Sequence, residues 1–275
     1  MAATLTHIRG DGPLDEVTDR TEETIVPKRL SGKVAVVTGA SKGIGASIAL
    51  RFASEGAAVV VDYSSSKSDA DRVAGEIASK GGKAIAVRAD VTKEADVRRL
   101  FAEADKAFGV LDILVNNAGF FEFWPLEDVT AEHFHKQFDL NVLGMILATR
   151  EALKYFGPAG GSIVNISSVT ATWTPPGASV YSATKAAVNA LTQSLAKELA
   201  PRRIRVNGIS PGMVETPGLD AAGITESDFR RQHESEVPLG RIGQPQDIAP
   251  AAVYLASADS GWVTGETLTI AGGVR

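Results

Sequence analysis

The sequence predicts a single doubly wound α/β domain, in which helices flank a parallel sheet on both faces. Short continuous apolar runs alternate with helical stretches along most of the chain, and this pattern is typical of βαβ units. The chain has 275 residues, of which 44% are hydrophobic and 22% charged. These values suit one globular domain of this class. A cluster of glycines between the first apolar run and the first helical stretch is the third observation.

The predicted strands are the apolar runs, and helical patterns follow several of them. The runs are, in chain order, Val34–Val37, Ala58–Val61, Ala84–Val87, Asp112–Val115, Ser162–Ile166, Ile204–Asn207 and Thr267–Ile270. The helical patterns are Ala46–Glu55, Asp69–Ser79, Glu94–Phe108 and Ser179–Leu199, and an apolar stretch at Ala249–Ala256 precedes the last run. Parallel strands need crossover connections of this length, so the order of elements itself favours a parallel sheet.

Residues 1 to 29 are predicted to form an arm that precedes a domain spanning residues 30 to 275. The stretch from Arg9 to Lys28 is polar and charged, and it is either disordered or docked on the body or on a neighbouring subunit. The first residues lack the design of a secretory signal. No run approaches the roughly 20 apolar residues that a membrane span needs. We therefore expect a soluble, cytoplasmic protein with no membrane partner.

Composition excludes several kinds of site. The chain has no cysteine, which excludes disulfides, thiolate zinc sites and a thiol nucleophile. Its net charge of -5 argues against a nucleic-acid partner, which usually meets a basic stripe. His133 and His135 lie two positions apart in a predicted helix and cannot share one face. We expect both to be exposed, and we expect no metal site.

The segment Thr38–Gly45 carries three of the 27 glycines between the first strand and the first helix. Gly39 allows a tight turn, Gly43 lets the backbone approach a pyrophosphate, and Gly45 permits close packing of the helix. The helix N-terminus that follows offers unpaired N–H groups and positive dipole charge to phosphates. This context predicts a dinucleotide-binding turn.

The spacing of Thr38–Gly45 resembles that of the short-chain dehydrogenase/reductase family, which includes 3-oxoacyl-carrier-protein reductases and carbonyl reductases. Four further motifs agree in order: Asp90-Val91, Asn116–Gly119, Tyr181–Lys185 and Pro211-Gly212. The resemblance runs from about residue 30 to the C-terminus. It implies a Rossmann fold with a seven-stranded parallel sheet, a nicotinamide cofactor, a small-molecule carbonyl substrate and a homotetramer.

The resemblance also implies which residues bind the cofactor. They are Gly39, Ser41, Lys42, Gly43, Ile44, Gly45, Tyr63, Ser64, Ser65, Asp90, Val91, Asn117, Ala118, Gly119, Tyr181, Lys185, Pro211, Gly212, Val214 and Thr216. A carboxylate after the second strand would bond the ribose 2′-hydroxyl and repel a 2′-phosphate. Counting from Gly56, the discriminating position is Tyr63 and not Asp62, and Lys42 matches a basic position of relatives that prefer NADP. We therefore expect NADP, with NAD as the alternative; Lys42 is otherwise a surface lysine.

Tyr181 and Lys185 are four residues apart in a helical pattern and therefore share a face. A neighbouring ammonium lowers the pKa of a phenol from its ordinary value of about 10. The resemblance implies that Tyr181 transfers the proton, that Lys185 also holds the nicotinamide ribose, and that Ser168 orients the substrate oxygen while Ser167 faces the other way. It implies that Asn141 holds a water in the proton relay; otherwise Asn141 bonds backbone inside a helix.

Aromatic residues near the carboxyl ends of the strands are candidates for the substrate pocket. Phe120, Phe121, Trp173 and Met213 are the predicted pocket residues, with Phe123 and Trp124 nearby, although some of these aromatics could serve the core or a subunit interface. Residues 213 to 238 form a predicted substrate lid with a polar helix at Glu226–Glu236.

Three functions remain open on this basis. The first is an NADP-dependent carbonyl reductase acting on an apolar or cyclic ketone. The second is a 3-oxoacyl-carrier-protein reductase, for which four arginines would form a basic patch for the carrier: Arg202, Arg203, Arg230 and Arg231. A sugar or polyol dehydrogenase would more often need a polar pocket. The third is a nucleotide-binding sensor without turnover, which the intact catalytic motif disfavours.

Overall fold

The computed structural model describes residues 28 to 274. Within that range seven strands form one parallel sheet in the order β3-β2-β1-β4-β5-β6-β7. The strands are β1 Val34–Val37, β2 Ala58–Tyr63, β3 Lys83–Arg88, β4 Ile113–Asn116, β5 Gly161–Ile166, β6 Ile204–Pro211 and β7 Thr267–Ile270. The predicted doubly wound α/β fold with a seven-stranded parallel sheet is confirmed.

Helices cover both faces of this sheet. In the described range they are α1 Gly43–Ser54, α2 Lys67–Ser79, α3 Glu94–Phe108, α4 Ala131–Phe138, α5 Gly144–Ala152, α6 Ser179–Leu199, α7 Pro217–Ala221, α8 Asp228–Glu236 and α9 Pro245–Ala256. The observed α3 and α6 have the predicted bounds. The first helix begins at Gly43, three residues before its predicted start, because the glycine turn itself supplies the first turn of the helix.

Strand alternation divides the core into two clusters, one on each face of the sheet. In the interior strand β1, Ala35 and Val37 belong to one cluster and Val36 to the other, and all three are fully buried. The apolar face of α3, which includes Leu100 and Phe101, packs into the second cluster. A sheet buried on both faces explains why its strands read as continuous apolar runs.

The strand order reverses between β1 and β4, because β2 and β3 lie on one side of β1 while β4 to β7 lie on the other. In open α/β sheets, the crevice outside the carboxyl ends of the strands at this point is where ligands bind. The turn after β1, the segments after β4 and β5 and the start of the lid therefore meet at one edge.

The predicted arm lies outside the described residues except for its last two, Lys28 and Arg29. The Arg29 guanidinium lies 3.2 Å from a Glu55 carboxylate oxygen and 3.7 Å from one of Asp259, so the chain enters the domain tied to α1 and to the loop after α9. Among the described helices, none has the length and apolar character needed to cross a membrane.

The prediction that both His133 and His135 are exposed is wrong for His133. His133 is only 3% exposed, and its ring stacks on Trp124 with centroids 4.2 Å apart. Trp124 comes from the loop after β4, so a helix pattern alone could not reveal this contact. His135 is exposed as expected. Among residues 28 to 274, no group of three or more metal-binding side chains is found.

Candidate active site

The glycine turn after β1 is held by the end of β4. The Asn117 side-chain amide donates to the carbonyl oxygens of Thr38 and Gly39 at 2.9 and 3.0 Å, and the Ala118 N–H donates to the Thr38 hydroxyl. Gly39 has a φ of +61°, which favours glycine. A Cβ on Gly45 would lie 2.7 Å from the Gly39 carbonyl oxygen and closer still to the Asn117 amide. The close packing predicted for Gly45 is therefore present.

Ser167 and Ser168 follow β5 and have different partners. The Ser167 hydroxyl donates to the Lys185 carbonyl oxygen at 3.2 Å and so ties β5 to α6. The Ser168 oxygen accepts the Thr170 N–H at 3.2 Å, which leaves its own proton available for another acceptor. Ser168 and Tyr181 line the same cavity.

Tyr181 and Lys185 lie one turn apart on α6 and both line the cavity. The Lys185 ammonium donates to the Ile166 carbonyl oxygen at 3.0 Å and lies 5.7 Å from the centroid of the Tyr181 ring. Burial raises the pKa of Tyr181 to about 12, although the Ser168 hydroxyl opposes the rise. Burial also lowers the pKa of Lys185 to about 8. The expected lowering of the tyrosine pKa is therefore not found, because the desolvation of both groups dominates.

Asn141 lies in one wide π-helical turn, Asp139–Leu143, between α4 and α5. Its side chain accepts the Phe120 N–H at 2.8 Å and donates to the Phe120 carbonyl oxygen at 2.9 Å and to the Thr184 hydroxyl at 3.0 Å. Such turns are frequent at functional sites. A cavity of about 10 Å³ that Asn141 and Lys185 line has room for about one water.

The cavity beside Tyr181, of about 210 Å³, lies at the carboxyl edge of the sheet and has aromatic walls. Phe121 and Phe123 flank the Tyr181 ring, each with a centroid separation of 5.9 Å. The predicted pocket residues line it: Phe120, Phe121, Trp173 and Met213. Trp124 is not among its lining residues because it stacks on His133.

A protein-family model described as "Enoyl-(Acyl carrier protein) reductase" matches residues 39–275. The chain is 55% identical over 247 residues to an uncharacterized oxidoreductase of Methylorubrum extorquens, a match that covers 90% of this chain and 99% of that protein. The chain belongs to the short-chain dehydrogenase/reductase family. It is also 41% identical over 263 residues to a hydroxynaphthalene reductase-like protein of Metarhizium robertsii, with 92% and 97% of the two chains covered.

Solved structures of short-chain dehydrogenases/reductases and related proteins share the fold. A dehydrogenase/reductase from Sinorhizobium meliloti superimposes with a TM-score of 0.85 at 41% identity and covers 90% of this chain and 96% of its own. A short-chain dehydrogenase/reductase from Serratia marcescens has a TM-score of 0.84 at 39% identity, with 89% and 98% covered. The protein is therefore an oxidoreductase of this family, whose members use a nicotinamide dinucleotide.

The residues around the glycine turn fit such a cofactor. No side chain caps the start of α1, so the backbone N–H groups of its first turn are open to a phosphate. A Cβ on Gly43 would lie 3.1 Å from a Thr216 methyl group. The predicted Pro211 is the last residue of β6, and the segment after it, which carries Gly212, Val214 and Thr216, is thus folded against the turn.

The carboxylate at the end of β2, that of Asp62, is buried and does not reach the surface after the strand. Asp62 is 1% exposed, and one of its carboxylate oxygens accepts the Gly39 N–H at 3.0 Å. The Tyr63 side chain is also buried, whereas Ser64 and Ser65 are exposed. The Arg88 guanidinium donates to the Ser64 carbonyl oxygen at 3.1 Å, a basic neighbour that the sequence reasoning missed.

The other predicted cofactor residues lie on both sides of this turn. The Lys42 ammonium is 3.1 Å from an Asp69 carboxylate oxygen on α2. Asp90 follows β3, and hydrogen bonds to its carboxylate from Thr92 and Lys93 lower its pKa although burial opposes them. Val91 is buried and lines the small cavity beside Asn141.

The lid contributes cavity residues that the sequence analysis did not name. Leu219 of α7 and Phe229 and His233 of α8 all line the cavity. Their signal was available, since residues 229 and 233 are four apart in an otherwise polar helix and share one face.

The four arginines proposed as a basic patch for a carrier protein do not lie together. Arg202 and Arg203 precede β6 at its amino end, the edge of the sheet opposite the cavity. Arg230 lies near Glu215 and Glu234, and Arg231 pairs with Asp228.

Proposed function

We propose that the protein is an NADP(H)-dependent carbonyl reductase whose substrate is an apolar, cyclic ketone with an aromatic ring. The observation that carries the proposal is the aromatic wall around Tyr181, formed by Phe121 and Phe123 and continued by Trp173. Aromatic side chains bury large apolar areas and prefer tilted or offset ring contacts. The relative from Metarhizium robertsii is named as hydroxynaphthalene reductase-like, and a hydroxynaphthalene is a flat compound of two fused aromatic rings.

The chain's own residues divide the proton chemistry between them. When bound, the reduced nicotinamide supplies a hydride to the carbonyl carbon. Ser168 donates a hydrogen bond to the carbonyl oxygen, since its own oxygen already accepts the Thr170 N–H. Tyr181 donates its phenolic proton to the same oxygen, and its raised pKa keeps that proton in place at neutral pH.

Lys185 and Asn141 complete the set. Lys185 holds the nicotinamide ribose and favours the phenolate that forms when Tyr181 loses its proton. Asn141 fixes the backbone of Phe120 beside the small cavity, where a water returns the proton. Asn141 therefore acts as a positioning residue in this proposal.

The cofactor preference rests on the exposed surface after β2. Asp62 is turned inward to the Gly39 N–H, so it cannot repel a 2′-phosphate. Ser64, Ser65, Lys42 and the nearby Arg88 offer hydroxyl and basic groups on the outer side. These groups favour NADP over NAD.

The reaction is tested by following NADPH oxidation against a panel of ketones that includes bicyclic aromatic ketones, sugars and 3-oxoacyl thioesters. We expect turnover of the bicyclic ketones. Tyr181→Phe removes the proton donor and is expected to lower kcat at least 100-fold while NADPH still binds. Equal rates for the variant and the parent would contradict the role of Tyr181, and activity confined to acyl thioesters would contradict the substrate.

The cofactor preference is tested by titrating NADPH and NADH into the parent and into Lys42→Ala. The parent is expected to bind NADPH more tightly than NADH. Lys42→Ala is expected to bind NADPH about tenfold more weakly than the parent does, with little change in its affinity for NADH. Lys80→Ala is the matched control, because Lys80 is an exposed lysine that pairs with Glu76 at the far end of α2. Tighter binding of NADH, with no effect of Lys42→Ala, would overturn the assignment.

A further inference from the structure

The lid side of the cavity is apolar with one notable exception. The apolar lining residues from this part of the chain are Met213, Val214, Leu219, Ile224 and Phe229. Thr216 also lines the cavity but lies against Gly43 of the cofactor turn. His233 of α8 is the exception, and it is 6% exposed.

The His233 ring lies near two aromatic rings. Its centroid is 5.9 Å from that of Trp173 and 6.4 Å from that of Phe229. Burial lowers its pKa, while Glu236 opposes the shift weakly. At neutral pH the ring therefore carries one N–H donor and one bare acceptor nitrogen.

A hydrogen-bonding group of His233 is left unused by the described residues. No hydrogen bond of either ring nitrogen is found among residues 28 to 274, and because Nδ1 is fully enclosed, Nε2 is the nitrogen open to a ligand. A polar side chain that finds no partner in a buried site is costly, and each such group in a native structure calls for an explanation. Packing alone would be served as well by a phenylalanine.

Most other polar side chains around the cavity have assigned partners or roles. The Asn117 amide donates to the glycine turn, and the Ser167 hydroxyl donates to α6. Ser168, Tyr181 and Lys185 belong to the proposed chemistry. His233 also lies apart from that chemistry, since its ring neighbours are Trp173 and Phe229 whereas those of Tyr181 are Phe121 and Phe123.

We propose that His233 is a specificity-determining residue that hydrogen-bonds a hydroxyl group on the aromatic ring of the ketone, remote from the reacting carbonyl. This inference rests on the proposed function and names its substrate class more closely: a cyclic ketone fused to a hydroxylated aromatic ring. In the bound ketone, the aromatic ring lies between Trp173 and the lid. The hydroxyl group on that ring forms a hydrogen bond with the His233 imidazole.

The test compares 2-tetralone with 6-hydroxy-2-tetralone, which differ by one remote hydroxyl group. For the parent we expect kcat/KM to be about tenfold higher for the hydroxylated ketone, through a lower KM, as one hydrogen bond to a buried group allows. His233→Phe retains the ring stacking and should reduce the preference to within twofold, through a higher KM for the hydroxylated ketone. His233→Asn should keep part of the preference. His135→Phe, at an exposed histidine of α4, should keep all of it.

Binding provides a readout that does not require turnover. In calorimetric titrations, 2,6-dihydroxynaphthalene should bind the parent about tenfold more tightly than 2-naphthol, and His233→Phe should remove the difference. An unchanged preference in His233→Phe, or an equal loss for both ligands, would overturn the inference and assign the histidine to packing. If no ketone is reduced but this binding difference is found and depends on His233, the proposed reaction fails and the hydroxyl-binding site stands.

Discussion

At the scale of single residues, Asp62 shows how burial sets the properties of a group beside the cofactor turn. One of its oxygens accepts the Gly39 N–H, and the other is buried without a partner among the described residues. Burial raises its pKa to about 7, although N–H groups of Gly39, Ala89 and Tyr63 oppose the rise. The carboxylate therefore holds the turn at an energetic cost that depends on pH.

The first prediction concerns Asp62→Asn. Between about pH 4 and pH 7 the folded protein holds a proton on Asp62 that the unfolded chain, with an ordinary pKa of 3.8, has lost. Folding stability from this group therefore falls as pH rises through that window, and the loss is complete above pH 7. The amide does not titrate, so the free energy of unfolding of Asp62→Asn minus that of the parent should increase by on the order of 2 kcal/mol between pH 4.5 and pH 8.

Denaturant melts at several pH values measure this difference. Asp71→Asn is the control, because Asp71 is an exposed residue of α2 that pairs with Lys67, and surface pairs contribute little. A difference between Asp62→Asn and the parent that stays constant from pH 4.5 to pH 8 would contradict the raised pKa.

At the scale of elements, the path of the chain through Thr38–Gly45 depends on the absence of side chains. The turn is crossed by the Asn117 amide from the end of β4, and Gly45 faces both this amide and the Gly39 carbonyl oxygen. Gly75 in α2 offers a matched contrast, since it is exposed and a Cβ there would meet nothing within 4 Å.

The second prediction compares Gly45→Ala with Gly75→Ala. The new methyl group at position 45 must displace backbone, which should cost about 1–3 kcal/mol of stability and lower the affinity for NADPH at least tenfold by moving the turn. Gly75→Ala should be stabilising by roughly 0.5–1 kcal/mol and leave cofactor affinity unchanged. Melting curves measure the stability of both variants, and titrations measure their affinity for NADPH. An unchanged NADPH affinity in Gly45→Ala would contradict the prediction, because it would show that the turn accommodates the methyl group.

Elements whose signals are local could be predicted from the sequence. The bounds of α3 follow from an apolar stripe that includes Val97, Leu100 and Phe101, and those of α6 were found in the same way. Features that depend on distant partners could not. His133 is buried because Trp124 arrives from another loop, and the pKa of Tyr181 depends on how deeply the folded cavity encloses it.

In the candidate site too, some residues could be predicted from the sequence and others depend on distant parts of the fold. The motif residues Ser168, Tyr181 and Lys185 could be assigned to one site from the sequence, because the family resemblance groups them. Phe229 and His233 reach that cleft only through the fold of the lid. Sequence reasoning therefore located the proposed reacting groups, but the lid residues that line the same cavity required the structure.

At the scale of the whole molecule, large apolar side chains remain exposed on the surface near α4 and α5. Phe134 belongs to α4, while Leu143 and Ile146 lie three residues apart where the π-helical turn continues into α5, so they share a face. Trp262, before β7, is fully exposed. Groups of exposed apolar side chains mark surfaces for association. These exposed side chains support the homotetramer that the resemblance implies. The cytoplasmic location stays a prediction.

The third prediction is that the protein in solution has a mass four times that of the single chain, and that Ile146→Glu lowers it. A carboxylate on each copy of a buried apolar interface would be desolvated without a partner, which costs several kcal/mol per site and is repeated at each copy of a symmetric contact. Leu126→Glu is the control, because Leu126 is also exposed but lies in the loop before α4. Light scattering during size-exclusion chromatography measures both. A monomeric parent would refute the tetramer, and a tetrameric Ile146→Glu would place its interfaces elsewhere, with the surface around Trp262 the next to vary.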